Sequence, residues 1–173
     1  MVAKEKAAKA AKPLKGKALA LAIANDVLAR LKRKNNIVPI QGAGYVSFSK
    51  EAKFEAIYIA EESAQKHLKM LQKGCEVCAL GGMFISYIGL KNNVTVQDLE
   101  LDIGMRESLQ EAFSSEQLHL IEGSFEGWCD DNSESVVFYE KFENDKKRLK
   151  KIMENIVRNN GKFIPKQDIA EEN

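Results

Sequence analysis

The sequence contains few of the side chains on which most catalytic and metal-binding sites depend. Its 173 residues include two histidines, His67 and His119, and three cysteines. Histidine is the side chain most used for proton transfer near neutral pH and is also a common metal ligand, so candidates for either role are scarce. A small, odd number of cysteines does not suit the disulfide framework of a secreted miniprotein. We therefore expect free thiols and a cytoplasmic location.

An excess of one charge and long apolar runs are also missing. The 26 basic and 25 acidic side chains leave a net charge of +1, so no overall field favours nucleic acid or an anionic membrane. The apolar run at residues 18–24 is shorter than the core of a signal peptide. No stretch reaches the ~20 apolar residues that a membrane-spanning helix needs. We therefore expect no membrane association, and any nucleic-acid contact would have to come from a local basic patch.

What the sequence does contain is helical periodicity. Apolar residues recur at helical spacing, and Asn, Ser and Gly stand where helices begin and end. The predicted helices cover residues 17–34, 49–73, 105–113 and 115–126, and a last helix runs from about 131 to 158. A further helix start at Thr95 is ambiguous, and residues 37–48 are predicted to be an extended connection. The fold prediction is all-α: a compact single-domain bundle of five to seven helices with at most one minor β element.

Three regions follow from this pattern. Residues 1–16, with five lysines against one glutamate, are predicted to be a basic, flexible extension. Residues 17–163 form the helical domain. Residues 164–173 are predicted to be an acidic tail in solvent. Within the domain, residues 75–90 are almost all apolar or small and are predicted to form a central helix buried on every side, with Gly81 and Gly82 allowing a neighbouring backbone to approach closely.

Two thiols, Cys75 and Cys78, open this central segment. As a redox pair, Cys75 would attack from a helix N-terminus that lowers its pKa, and Cys78 would resolve the product. The all-helical alkylhydroperoxidase family is similar in placing a Cys-x-x-Cys pair at the start of a buried helix. This sequence departs from that family, with Gly82 where the family has a histidine and only a loose match for its glutamate at Glu61 or Glu62.

Two other interpretations of the thiols remain open. A zinc site would need further ligands, for which the candidates are His67, His119 and Cys129. Alternatively, Cys75 and Cys78 are small buried apolar residues, as free cysteines usually are. We favour this last interpretation and expect no cofactor and no metal.

A basic cluster in the last predicted helix is the main candidate for a nucleic-acid contact. Five positive side chains fall within one and a half turns, namely Lys146, Lys147, Arg148, Lys150 and Lys151. Acidic residues at helical spacing from them favour pairing on a solvated helix face. The same lysines, together with the basic extension, would bind phosphates if the two share a surface.

Two segments, Cys78-Ala-Leu-Gly81 and residues 152–165, resemble segments of small uncharacterised helical proteins of bacteria and phages. The resemblance implies a helical fold and a bacterial or phage origin, and it carries no activity. The leading hypothesis is therefore a non-enzymatic helical module that acts by protein contacts, with an unidentified protein partner. The alternatives are a thiol-redox protein and a nucleic-acid-associated protein.

Overall fold

The computed structural model describes residues 13–33, 37–42, 46–48, 75–91, 103–128 and 133–170. These residues form three short strands and seven helices. The strands are β1 (Ile37–Pro39), β2 (Val46–Phe48) and β3 (Cys75–Val77). The helices are α1 (Gly16–Lys32), α2 (Ala79–Lys91), α3 (Ile103–Gln110), α4 (Ser115–Glu126), α5 (Ser133–Lys141), α6 (Asp145–Arg158) and α7 (Pro165–Ala170).

The predicted all-α fold is confirmed, with one small sheet as its only β element in the described residues. Strand β3 lies in the middle of that sheet, parallel to β1 and antiparallel to β2. Ile37 lies opposite Cys75, and Pro39 lies opposite Val77. Strand β1 is therefore an edge strand of this sheet.

The central helix is present but begins later than predicted. Every side chain from Ala79 to Ile88 is buried, and α1, α3 and α4 pack around the helix. Residues 75–77 belong instead to β3, because a fully buried strand of three residues carries no periodicity that separates it from a buried helix. The expected close approach of a backbone at Gly82 is wrong. The atoms nearest to an added Cβ there are side-chain atoms, the closest being Val77 Cγ2 at 3.5 Å.

Helix α4 has the termini that its sequence predicts. The hydroxyl of Ser114 accepts a hydrogen bond from the backbone N–H of Gln117 at 3.2 Å, which satisfies one of the free amides of the first turn. Gly127 ends the helix in the left-handed conformation, with φ of 77°. A Cβ at Gly127 would lie 2.7 Å from the ring of Tyr139, so glycine is required there for space as well as for conformation.

The single long helix predicted from residue 131 to 158 is wrong. The chain breaks at Asn144, whose side chain accepts from the backbone N–H of Lys147 and starts α6. The carbonyls of Phe142 and Glu143, which a continuous helix would have used, accept hydrogen bonds from Arg148 instead. An apolar stripe can continue across such a break, which is why periodicity alone did not reveal it.

The predicted tail in solvent is also wrong for residues 165–170, which form α7. Asp168 of this helix is 4% exposed and accepts hydrogen bonds from Asn155 and Arg158. The amide of Asn155 also bonds both backbone groups of Ile164. These contacts fix α7 against the C-terminal half of α6.

Several predictions lie outside the described residues. These are most of the basic extension, the helix at 49–73, the helix start at Thr95, and the candidate ligands His67 and Cys129. Among the helices that the structure describes, none is both long and apolar enough to cross a membrane.

Candidate functional site

Both thiols of the central segment are buried. Cys75 lies in β3 and is 2% exposed, and Cys78, between β3 and α2, is 4% exposed. The sulfur of Cys78 accepts from the backbone N–H of Gly81 at 3.4 Å. Both are free cysteines. Cys75 thus does not occupy the helix N-terminus that the redox hypothesis assigned to it.

The surroundings of both sulfurs oppose the thiolate. Burial raises the pKa of Cys75 to about 11, and the charge of Arg30 offsets this only in part. Burial also raises the pKa of Cys78 to about 12. The hydrogen bond from the Gly81 N–H lowers this pKa only in part, and the carboxylates of Glu126 and Glu122 raise it further. A nucleophilic cysteine needs a lowered pKa and access. These two have neither.

The structure does not assemble the proposed zinc site from the residues it describes. Within the described ranges, no three His, Cys, Asp or Glu side chains come together in a group that could hold a metal ion. His119 is exposed on α4, and its ring stacks edgewise on Trp128 with centroids 5.5 Å apart. The zinc hypothesis therefore stays an untested prediction that depends on Cys129 and His67.

The basic cluster of residues 146–151 divides into a buried part and an exposed part. Arg148 is 2% exposed, so its guanidinium is not accessible to nucleic acid, contrary to the sequence hypothesis. Lys147 and Lys151 lie over the ring of Phe142, and Lys150 pairs with Glu154 at 3.4 Å. Lys146 remains exposed at the start of α6.

Arg148 joins the C-terminal ends of two helices to the start of a third. Its guanidinium donates to the carbonyls of Phe125, Phe142 and Glu143 at 2.7 to 3.0 Å and to the carboxylate of Asp145 at 2.9 Å. Phe125 belongs to the last turn of α4, and the other two carbonyls follow α5. Helix C-termini carry free carbonyls and partial negative charge, which a buried guanidinium satisfies.

The residues after β1 are held by the same group of side chains. The backbone N–H of Gln41 donates to Asp145 at 2.9 Å, and its side-chain amide donates to the carbonyl of Glu126 at 2.7 Å. The N–H of Gly42 donates to the Glu126 carboxylate at 2.8 Å, and the Tyr139 hydroxyl donates to Gln41. We call Arg148, Asp145, Glu126, Gln41 and Tyr139 the polar hub. It fixes β1 relative to α4, α5 and α6.

A groove opens beside the hub, between the end of α1, the edge strand β1 and the start of α6. Its volume is about 690 Å³, and we call it the basic groove. Its lining residues are Lys32, Arg33, Ile37, Val38, Pro39, Glu143, Asn144, Asp145 and Lys146. A smaller hollow of about 400 Å³ shares Lys32 and Lys146 and extends along α1 and α6.

The groove combines an exposed apolar side chain with cations that have no partner among the described residues. Val38 is 45% exposed, although its neighbours Ile37 and Pro39 are buried. The side chains of Lys32, Arg33 and Lys146 are exposed and make no hydrogen bond or ion pair to a described residue. Such a surface suits a ligand that is partly apolar and partly anionic.

Sequence reasoning identified one groove residue, Lys146, and missed the rest. Lys32 and Arg33 follow the ordinary pattern of basic residues at a helix C-terminus, so nothing in the sequence marked them. Val38 lies in a segment that reads only as an extended connection. The groove exists because the break at Asn144 brings the start of α6 beside β1, and the sequence analysis did not predict that break.

Comparison of the chain with protein-family models, with curated proteins and with solved structures gives no match in any of the three. A function for this chain has therefore to be inferred from its own geometry.

Proposed function

We propose that the protein is a non-enzymatic helical module that binds a partner protein through the basic groove. The observation that carries the proposal is the joint exposure of Val38 and of the three cations around it. The alternation of β1 turns Val38 outward between two buried neighbours, and exposed apolar surface within a polar rim is typical of interaction sites.

The rigidity of the groove supports this proposal. Its three walls come from distant parts of the chain, and the hydrogen bond from the Gln41 N–H to Asp145 joins the end of β1 to the start of α6. Helices α1 and α6 also pack against each other directly. A preformed site loses little conformational entropy when it binds a ligand, so a small area can give useful affinity.

The thiol-redox alternative receives little support from the positions of Cys75 and Cys78. Two buried sulfurs with pKa values of about 11 and 12 are almost entirely protonated at neutral pH. Rapid alkylation of either thiol in the native protein by iodoacetamide, at the rate of an unfolded control, would restore this alternative.

For the nucleic-acid alternative, the exposed lysines among residues 146–151 remain accessible to phosphates, but the buried Arg148 does not. Arginine is the residue best suited to bind phosphate with two hydrogen bonds, so its burial weakens the alternative most.

We also propose a cytoplasmic location and a bacterial or phage origin. The first is consistent with free Cys75 and Cys78, and the second follows from the resemblance of residues 78–81 and 152–165.

Site-specific photo-crosslinking in the cells from which the sequence comes tests the proposed function. A photo-crosslinking amino acid replaces Val38 in one variant and Val137 of α5 in the other. The two valines form a matched pair, because they are 45% and 42% exposed and only Val38 lies in the groove. We expect crosslinks to another protein from position 38 and not from position 137. Equal crosslinking at both positions, or none at either, would contradict the proposal.

A further inference from the structure

We propose that the basic groove binds an acidic segment of the partner protein. In this arrangement, carboxylates of the segment lie against Lys32, Arg33 and Lys146, and one of its apolar side chains covers Val38. The inference rests on the proposed function and adds the chemistry of the partner to it.

The charges of the groove are unbalanced once the internal pairs are removed. Asp145 is occupied by Arg148 at 2.9 Å and by the backbone N–H of Gln41. Of the lining carboxylates, this leaves only Glu143 without a side-chain partner among the described residues.

Among the described lining residues, three cations without partners therefore face one carboxylate, an excess of two positive charges. The adjoining hollow contributes no further excess, because its Lys150 pairs with Glu154 at 3.4 Å. Complementary charge on a ligand speeds its association and selects it over neutral competitors.

The position of the cations around Val38 favours a peptide over a nucleic acid. No aromatic side chain is among the described residues that line the groove, so these residues offer bases nothing to stack on. The Glu143 carboxylate would repel a continuous phosphate backbone, whereas a peptide can place a neutral residue beside it. Val38 offers an apolar contact that phosphates and sugars do not use.

The edge position of β1 limits the ways in which a peptide segment can bind in the groove. The N–H of Ile40 donates to the carbonyl of Val77, so the backbone groups of residues 38 and 40 face β3 and those of 37 and 39 face the edge that no described strand pairs with. Residue 39 is a proline and has no N–H to donate. An added strand would lack that hydrogen bond, which favours recognition of the segment by side chains over recognition by the backbone.

Fluorescence anisotropy with labelled synthetic peptides and the full chain tests this inference. The probe is a short peptide of Glu, Ser and Gly with one central Leu. Two counterparts replace every Glu by Lys or the Leu by Ser, and a short oligothymidylate serves as the nucleic-acid probe. We expect the acidic peptide with Leu to bind most tightly and to weaken as salt is raised, because exposed charges are screened.

Matched variants assign the binding to the groove. Lys32→Ala and Lys146→Ala should each weaken binding of the acidic peptide roughly two- to fivefold, the range of exposed charge pairs. Glu143→Gln should strengthen it by a similar factor, because it removes the opposing carboxylate. Lys162→Ala is the control: this exposed lysine lies beyond the other end of α6, and its loss should leave binding unchanged.

The results that would contradict the acidic segment can be distinguished from failure of the proposed function. Tighter binding of oligothymidylate through Lys32 and Lys146 would replace the acidic segment with nucleic acid. Equal binding of the Lys-containing peptide, or no change in Glu143→Gln, would overturn the inference. If position 38 crosslinks to a protein and the acidic peptide does not bind, the module stands and the assigned partner chemistry is wrong.

Discussion

Helices α2 and α6 are both well buried, but opposite kinds of interaction hold them in place. From Ala79 to Ile88, every side chain of α2 is buried and none is charged. Helix α6 also buries an apolar face, yet buried polar side chains fix it near both ends. Arg148 bonds the ends of α4 and α5 near its start, and Asn155 bonds α7 and the residues before it near its end.

The difference matters because apolar packing is not directional, whereas hydrogen bonds are. Packing of a helix such as α2 stabilises the interior but sets the angles between helices only to within about 15–20°. The contacts of Arg148 and Asp145 set the position of β1 relative to α6 to within the tolerance of a hydrogen bond. The basic groove lies in this second region, which supplies the more defined geometry.

The largest effect that separates the two regions should come from Arg148→Met. Methionine keeps much of the volume but leaves the carbonyls of Phe125, Phe142 and Glu143 without their donor in a buried site. We expect a loss of about 3–5 kcal/mol in the free energy of unfolding, measured with urea. Lys147→Met is the control at the neighbouring, exposed position and should cost less than about 1 kcal/mol, since only its contact with the Phe142 ring is lost. Equal stability of the two variants would mean that the hub is not essential to the fold.

The same contrast explains how much of the molecule the sequence predicted. Apolar periodicity identified α1 and α3, local capping identified α4, and the uninterrupted apolar run identified α2. These signals are encoded within a few residues. The hub joins Gln41, Glu126 and Asp145, which are far apart in the chain, and no local pattern announces such a contact. Arg148 was therefore misassigned to a solvated basic face, and the groove was not predicted.

Replacing a glycine by alanine should destabilise the protein near the polar hub and stabilise it in α2. Gly127→Ala forces a φ of 77° on alanine and places its Cβ 2.7 Å from the ring of Tyr139, which belongs to the hub. We expect a loss of roughly 2–3 kcal/mol. Gly82→Ala in α2 meets only side chains at 3.5 Å or more, and the gain in helix propensity should stabilise the protein by up to about 1 kcal/mol. Urea unfolding measures both, and a destabilised Gly82→Ala would show that α2 is packed more tightly than these contacts indicate.

The thiols beside α2 should respond to alkaline pH. Their pKa values of about 11 and 12 lie above the ordinary value of 9.0, so the folded state holds these protons more tightly than the unfolded chain does. The stability that they contribute is complete below pH 9.0 and is lost as the pH rises toward those values. At about pH 10 each thiol should lower the free energy of unfolding by about 1 kcal/mol relative to about pH 8. In the double variant Cys75→Ala/Cys78→Ala this part of the pH dependence should disappear; an unchanged slope would show that the sulfurs ionise normally.

The smallest effect belongs to Glu126, the carboxylate of the hub. Its pKa is raised by partial burial and by repulsion from Glu122 and Asp145. The hydrogen bond from the Gly42 N–H and the charge of Arg148 lower the pKa, but only in part. The folded state therefore binds this proton more tightly than the unfolded chain, and stability falls as pH rises above the ordinary value of 4.5 toward the raised one.

Glu126→Gln tests whether this carboxylate makes the polar hub sensitive to mildly acidic pH, a range in which helix α2, which contains no carboxyl or imidazole group, has nothing to titrate. Glutamine can still accept the Gly42 hydrogen bond and has no proton to lose, so the fall in stability above pH 4.5 should become shallower. Glu140→Gln, at an exposed position of α5, removes the same charge and should leave the slope unchanged. Urea unfolding at several pH values measures the slope for all three proteins. Parallel curves for the wild type and Glu126→Gln would mean that the hub does not respond to pH through this carboxylate.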